Sequence, residues 1–365
     1  MQRAQLLDLK KMSKFVNEKI SKLSAYVPGE QPQDKKYIKL NTNESPFPPS
    51  KKAVSLAKHE LEKVMLYPDP DCNKLLSEIA NYYGVKKEQV IVSNGSDEVL
   101  NFAFIAYCDE KTPAIFPDIT YGFYKVFAGV NGASYKQIPL KDDFTIDIND
   151  YCNEKGVVFI ANPNAPTGIV LPLEDIEKIL SSNKDRVVVI DEAYIDFGGE
   201  SAVKLVDKYD NLLVTQTFSK SRSMAGARLG FGIASEKIIG DLNTVKYSTN
   251  PYNVNRVTAC LGIGAIKDQK YFSKNVDKII ANRQYTKIEL KKLGFEFTLS
   301  KTNFIFAKTD KISGEELYLK LKEKGILIRH FNSQRISDYV RITVGSLEQM
   351  KKFIETVKEI LGELV

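Results

Sequence analysis

A lysine, a hydroxyl and an arginine follow one apolar segment of the chain at close spacing. Residues 212–218 form an apolar, β-branched run typical of a buried strand, and Ser219 and Lys220 come directly after it. Desolvation at such a position disfavours the charged form of a lysine and frees an amine that can attack a carbonyl. Arg228 could hold an anion at the same place. The set indicates a Schiff base to an aldehyde that carries a phosphate; the alternative is a strand-end lysine that reaches solvent.

Further polar side chains follow other predicted strands, which we place at 90–93, 113–117, 157–161 and 187–190. Strands and helices alternate along the chain, and the strands are continuously apolar, which favours a mostly parallel α/β sheet. Ligands of such sheets bind outside the carboxyl ends of the strands. We therefore expect one crevice that collects Asn164, Asp191, Tyr194, Ser219 and Lys220. Ser96 begins a predicted helix, whose first N–H groups could seat a phosphate, although an ordinary N-cap is the simpler interpretation.

The pattern of the chain changes near residue 254. We predict an N-terminal arm over 1–36 that packs with a small domain, a large domain over 37–253, and a connector helix with the small α+β domain over 254–365. Arg329 and Arg341 lie in strands of the small domain. A strand arginine that faces a cleft can clamp a carboxylate or phosphate through two hydrogen bonds, and an edge-strand arginine in solvent is the alternative.

Composition excludes several classes of protein. The 365 residues carry a net charge of +6, from 52 basic and 46 acidic residues without a long basic block, so nucleic acid binding is not indicated. No apolar run approaches the roughly 18 residues of a membrane helix, and no signal peptide is seen, which predicts a cytoplasmic protein. Four cysteines lack the spacing of a metal site. With only two histidines, acid–base chemistry falls to lysine, tyrosine or carboxylates.

Eight stretches of the chain occur in the order typical of a known family. They lie at 39–50, 67–72, 93–98, 120–124, 162–168, 191–197, 217–232 and 340–345. With them the chain resembles the fold-type I pyridoxal-5′-phosphate enzymes of the aminotransferase class I/II superfamily, and within it the histidinol-phosphate aminotransferases. The resemblance implies a large α/β domain, with a mostly parallel sheet between helices, and a small α+β domain.

The resemblance also implies a role for each candidate residue. Lys220 would form the Schiff base and shuttle the proton, Asp191 would pair with the pyridine nitrogen, and Tyr194 would bind the phenolic oxygen of the ring. Tyr121 would stack on the ring. The phosphate would be bound by the backbone N–H groups of Ser96 and Asp97, by the side chains of Ser219 and Arg228, and by Tyr67 of the neighbouring subunit. Ala165 stands where the family often has an asparagine that binds the ring oxygen. Either Asn164 takes over that contact or Tyr194 acts alone, and we favour Asn164.

The resemblance finally implies a homodimer and a reaction. Arg341 would take the α-carboxylate of glutamate, and Tyr26, Asn43 and Arg329 would line the substrate pocket, with no metal. We expect transamination between L-histidinol phosphate and 2-oxoglutarate, which gives imidazole acetol phosphate and glutamate. A threonine-phosphate decarboxylase and an aromatic amino-acid aminotransferase of the same fold are the alternatives.

Overall fold

The computed structural model describes residues 13–23 and 26–363. Its strands are β1 Ile38–Lys39, β2 Val90–Ser93, β3 Ala114–Pro117, β4 Tyr135–Ile138, β5 Val157–Ala161, β6 Val188–Asp191, β7 Leu212–Thr217, β8 Gly230–Ala234, β9 Glu296–Phe297, β10 Phe304–Lys308, β11 Ile326–Leu327, β12 Arg329–His330 and β13 Val340–Thr343. Its helices are α1 Glu18–Ser21, α2 Lys51–Lys58, α3 Asn73–Tyr83, α4 Ser96–Tyr107, α5 Phe123–Asn131, α6 Asn149–Cys152, α7 Leu173–Ser182, α8 Glu236–Thr249, α9 Arg256–Lys267, α10 Gln269–Lys292, α11 Gly314–Glu323 and α12 Leu347–Gly362.

A seven-stranded sheet with the order β2-β8-β7-β6-β5-β3-β4 forms the centre of the large unit. Every pairing is parallel except those of β8, which runs antiparallel to β2 and β7. The predicted mostly parallel α/β sheet is thus confirmed. The pattern did not reveal β4, which is largely exposed, or β8, in which Gly230 and Gly232 weaken the strand signal.

Both faces of this sheet are covered by helices because its strands are apolar on both sides. Ile190 and Val214 lie in one buried cluster with residues of α3, α7 and α9. Their chain neighbours Val189 and Leu213 lie in another cluster with residues of α4, α5 and α8. Successive strand residues thus point to opposite layers, which leaves the ends of the strands as the place for polar side chains.

The small unit has its own core around an antiparallel sheet with the order β12-β13-β10-β9. Helices α10, α11 and α12 cover it, and α12 begins at a capping box formed by Ser346 and Gln349. The large core includes residues of α9, and the small core includes residues of α10. Helix α9 belongs with the large core because Gly264 lets it approach α2, where a Cβ at this position would lie 2.4 Å from Ala53 Cα.

The described part of the predicted N-terminal arm contacts both units. The ring of Tyr26 lies 4.8 Å from the ring of Phe123 in the large unit. Glu30 accepts hydrogen bonds from Tyr318 and Lys322 in the small unit. The described part of the arm therefore contacts the large unit as well as the small one. Residues 1–12, 24 and 25 of the predicted arm lie outside the described residues.

Candidate active site

A cavity of about 480 Å³ lies at the carboxyl ends of the central strands. This is the place that the topology of a mostly parallel sheet dictates for a ligand. Eight of the predicted site residues line it, namely Ser96, Asp97, Tyr121, Asp191, Tyr194, Ser219, Lys220 and Arg228. Side chains from four separate segments of the chain therefore meet at one crevice.

Asp191 is a buried carboxylate at the end of β6. Its oxygens accept hydrogen bonds from Tyr124 Oη at 3.1 Å and from Thr215 Oγ1 at 3.2 Å. Burial, and secondarily the charge of Asp97, raise the pKa of Asp191 to about 6, although these hydrogen bonds act in the opposite direction. No described lysine or arginine lies within 4.0 Å of this carboxylate. It can therefore hold a cationic group that enters the cavity.

Sequence reasoning missed both hydrogen-bond donors to Asp191. Thr215 stands directly opposite Asp191 in the β6–β7 register, which is a three-dimensional relation between two strands. Tyr124 follows Tyr121 by one helical turn in the stretch 120–124, so its spacing carried a signal. Thr215 could have been found because it is a polar residue inside an otherwise apolar strand.

An anion seat lies where α4 begins. Gly95 is the N-cap residue, and no side chain caps the helix, so Ser96 is not the ordinary cap that the simpler interpretation expects. Arg228 Nη1 donates to Ser219 Oγ at 3.5 Å on the same side of the cavity. A Cβ on Gly230 would lie 2.1 Å from the backbone nitrogen of Ser96. The glycine therefore lets β8 pack directly against the backbone at the start of α4, which fixes the position of the helix terminus.

The carboxylate of Asp97 organises this seat, although the sequence suggested a role only for its backbone N–H group. It accepts a hydrogen bond from Tyr121 Oη at 2.8 Å and from Arg228 Nη2 at 3.1 Å. Burial and the Asp97 charge raise the pKa of Tyr121, so this phenol stays protonated and donates. Asp97 thus fixes both the ring of Tyr121 and the guanidinium of Arg228.

Lys220 and Tyr194 lie next to each other in the lining of the cavity. Lys220 Nζ lies 5.7 Å from the centre of the Tyr194 ring and donates to the carbonyl oxygen of Thr42 at 3.4 Å. The hydroxyl of Tyr194 accepts a hydrogen bond from Asn43 Nδ2 at 2.9 Å, and Asn43 is itself held by Thr343. Asn43 therefore does not line the cavity; it orients Tyr194.

The amide of Asn164, the candidate for the ring-oxygen contact, is hydrogen-bonded to protein groups. Its Nδ2 donates to Ile119 O at 2.9 Å and to Thr167 Oγ1 at 3.0 Å, and its Oδ1 accepts from Thr120 Oγ1 at 2.7 Å. The neighbouring Ala165 lines the cavity instead. Because both amide protons are donated to protein oxygens, this geometry favours the alternative in which Tyr194 holds a ring oxygen alone.

Arg329 and Arg341 stand directly opposite each other on β12 and β13. Neither has a carboxylate within 4.0 Å among residues 13–23 and 26–363. The buried Nε of Arg341 has no hydrogen-bond partner among those residues, and desolvation lowers the pKa of this guanidinium, as does the charge of Arg329. The ring of Phe304 links the pair to the cavity, since it contacts both Arg341 and Tyr194. Neither arginine lines the cavity itself, but both lie close to it. Each donates one hydrogen bond to a backbone carbonyl oxygen and keeps further N–H groups for an anion.

Tyr67 lies outside the cavity of its own chain. Its side chain is 79% exposed and stacks on Tyr252 at 4.7 Å between ring centres. Val64, Met65 and Leu66 beside it are also exposed and line a second hollow, of about 490 Å³. Tyr26 likewise does not line the main cavity; it packs on Phe123.

Gln31, Thr42 and Glu44 also line the cavity, and sequence reasoning missed them. They follow no predicted central strand; the N-terminal segment carries them over the strand ends. In the described part of the chain no group of three histidine, cysteine or acidic residues is placed to hold a metal. None of the helices described there has the length and apolar character that crossing a bilayer requires.

The residues present fit pyridoxal-5′-phosphate. The uncapped helix terminus, Ser219 and Arg228 suit its phosphate, Lys220 suits its aldehyde, and Asp191 suits its ring nitrogen. The fold and this site together define the class of fold-type I pyridoxal-phosphate enzymes.

Comparisons with known proteins agree with this class. A model of the family "Aminotransferase class I and II" matches residues 35–357. The chain is 52% identical to the histidinol-phosphate aminotransferase of Brachyspira hyodysenteriae over 96% of its own length and 99% of the relative's. It is 49% identical to that of Clostridium acetobutylicum, over 96% and 100%. The crystal structure of the Sinorhizobium meliloti histidinol-phosphate aminotransferase with pyridoxal-5′-phosphate superposes with a TM-score of 0.88, at 22% identity, over 98% and 100% of the two chains.

The chain belongs to the class I and II aminotransferases, a family that depends on pyridoxal phosphate. It is thus a pyridoxal-phosphate-dependent transaminase, which confirms the family and the cofactor expected from the sequence.

Proposed function

We propose that this enzyme transfers the amino group of L-histidinol phosphate to 2-oxoglutarate, which yields imidazole acetol phosphate and L-glutamate. The observation that carries the proposal is the pair Arg329 and Arg341 beside the cavity. The names of the relatives at 52% and 49% identity support the same substrate.

Two like charges directly opposite each other on neighbouring strands destabilise a sheet. Arg329 and Arg341 form such a pair, and no described carboxylate neutralises it. A dianionic phosphate that binds both guanidiniums would remove the repulsion and supply a partner for the buried Nε of Arg341. Histidinol phosphate carries a phosphate and no carboxylate, and glutamate could reuse the same arginines for its carboxylates. We expect Tyr26 to add a hydroxyl to this pocket.

When bound, the cofactor supplies an electron sink that makes the substrate Cα–H acidic. Asp191 holds the proton of the ring nitrogen, because its buried carboxylate has no other cationic partner in the described chain. Lys220 would bind the cofactor aldehyde and would be the base that moves the proton of the substrate Cα. Tyr194 donates to the ring oxygen, and Asn43 orients it.

The remaining residues bind and orient. Ser96 and Asp97 offer backbone N–H groups to the phosphate, and Ser219 and Arg228 add a hydroxyl and a charge. Tyr121 stacks on the ring, held by its hydrogen bond to Asp97.

We further propose a cytoplasmic homodimer that acts on small molecules, not on nucleic acid or membranes. The exposed stretch from Val64 to Tyr67 supports the homodimer, because four large side chains in a row are costly to leave in water. In such a dimer Tyr67 would reach the cofactor phosphate of the partner.

The test is the rate of amino transfer from L-histidinol phosphate, with phenylalanine and threonine phosphate as rival substrates. We expect glutamate formation with histidinol phosphate only. Arg329→Leu should lower kcat/KM for histidinol phosphate by about 10- to 100-fold, the value of one charge-assisted hydrogen bond. Arg335→Leu is the matched control, because Arg335 already pairs with Asp118. Release of carbon dioxide from threonine phosphate, or equal rates for phenylalanine, would contradict the proposal.

A further inference from the structure

The three residues after Lys220 tie it to three different parts of the molecule. Ser221, Arg222 and Ser223 are polar, although they follow a buried strand, and the first two are buried themselves. Each side chain makes a hydrogen bond to a separate segment of the chain. The sequence alone offers no reason for a charged residue at this place.

Arg222 is the unusual member of the three. It is 7% exposed and has no carboxylate within 4.0 Å in the described parts of the chain, and its Nη2 is buried without a partner there. Its guanidinium carbon lies 4.1 Å from the centre of the Phe272 ring and 5.1 Å from that of Tyr82. A buried and unpaired cation is costly, and aromatic contacts offset only part of the cost.

The partners of Arg222 lie at the joint between the two units. Its Nη1 donates to the carbonyl oxygen of Ala265 at 3.1 Å, in the last turn of α9, where a cation also meets the negative end of the helix dipole. Phe272 lies in the first turn of α10, the helix that enters the small core. Arg222 thus connects the segment that carries Lys220 to the point where the chain passes from one unit to the other.

The two serines connect the same segment to the groups around Lys220. Ser221 Oγ donates to Asp196 Oδ2, two residues after Tyr194. Ser223 Oγ donates to Ser45 Oγ at 2.8 Å, two residues after Asn43. Ser223 also has a φ of +60°, a left-handed conformation that costs energy for any residue except glycine.

We propose that Ser221, Arg222 and Ser223 are positioning residues that fix the Nζ of Lys220 against Tyr194 and the joint between the units, with Arg222 as the central member. The proposal rests on the proposed role of Lys220 and not on the identity of the substrate. It predicts that loosening this segment changes the ionisation of the lysine–cofactor linkage, which no merely stabilising contact would do.

The test is a pH titration of the visible absorption band of the cofactor-loaded enzyme without substrate, together with kcat and KM. The quantity measured is the midpoint, the pH at which half of the change in absorption has occurred. Arg222→Met should move the midpoint by about half a unit or more. It should also lower kcat about 10-fold or more and change KM little, because the amine is misplaced. Arg222→Lys keeps a donor for Ala265 and should recover part of both effects.

Arg186→Met is the matched control. Arg186 is also a buried arginine, and it donates to the carbonyl oxygen of Ile179 in α7 at 3.2 Å, away from the cavity. It should lower the melting temperature about as much as Arg222→Met and leave the midpoint unchanged. A midpoint in Arg222→Met equal to that of Arg186→Met would overturn the proposal.

Ser223→Gly decides the matter if Arg222→Met fails to fold. Glycine accepts the left-handed conformation, so the melting temperature should stay the same or rise, whereas the hydrogen bond to Ser45 is lost. The midpoint should shift in the same direction as in Arg222→Met. A wild-type midpoint and kcat in Ser223→Gly would refute the positioning role. Because the midpoint needs no substrate, this failure is distinct from a wrong choice of substrate.

Discussion

Replacing Asp191 with asparagine should change the stability of the cofactor-free and the cofactor-loaded enzyme in opposite directions. Without cofactor, the carboxylate is buried beside Asp97 and has no cationic partner in the described chain. With cofactor, the protonated ring nitrogen becomes that partner. The charge of Asp191 therefore destabilises one state and stabilises the other.

The magnitude follows from the pKa of Asp191. Burial raises it from 3.8 to about 6, and each unit is worth about 1.4 kcal/mol, so the ionised carboxylate costs the cofactor-free protein about 3 kcal/mol at neutral pH. Between pH 4 and 6 the folded protein binds a proton that the unfolded chain has released, so its stability rises as the pH falls through this window. Asp191→Asn removes this slope. The gain at pH 7.5 is at most about 3 kcal/mol, because asparagine loses one acceptor oxygen.

The assay is urea unfolding at pH 7.5 and at pH 5, with and without saturating pyridoxal phosphate. Glu192→Gln is the control, since Glu192 is equally buried, with its pKa raised to about 8, but does not line the cavity. Its effect should be the same with and without cofactor. Asp191→Asn should raise the stability of the cofactor-free protein and reduce the stabilisation that the cofactor gives by about 3 kcal/mol or more. A change of the same sign in both states would refute the assignment of Asp191.

Two further substitutions test the lysine and the anion seat. Lys220→Ala should abolish turnover and leave the melting temperature within a few degrees of the wild type. Lys237→Ala, the control at an exposed lysine, should change neither turnover nor melting temperature. Normal turnover of Lys220→Ala would refute the Schiff base. Gly230→Ala should weaken cofactor binding about 10-fold or more, because the added Cβ would lie 2.1 Å from Ser96 N, whereas Gly240→Ala meets no atom within 4 Å and should stabilise α8. Equal cofactor affinity of the two alanine variants would contradict the role of the helix terminus.

Much of this architecture is readable from local pattern. Continuous apolar runs predict β5, β6 and β7 closely, since buried parallel strands need nothing else. The rule that ligands bind at the carboxyl ends then places Asp191 and Lys220 in one crevice without any knowledge of distances.

The sequence pattern does not predict contacts between segments that lie far apart in the chain. The donation from Thr215 to Asp191 depends on the register of two strands, and the opposition of Arg329 to Arg341 depends on the pairing of two others. The hydrogen bonds of Asn164 to Ile119 and Thr120 are likewise invisible in the sequence, because they depend on how two loops pack.

The most direct measurement is the absorption spectrum of the purified, cofactor-loaded enzyme before and after addition of L-histidinol phosphate alone. If Lys220 holds the cofactor and the arginine pair binds the phosphate, the yellow band should disappear in one turnover as the amino group passes to the cofactor, and 2-oxoglutarate should restore it. A band that persists with histidinol phosphate and disappears with threonine phosphate or phenylalanine would contradict the proposed substrate. A protein that shows no band after incubation with pyridoxal phosphate would contradict the central assignment of Lys220.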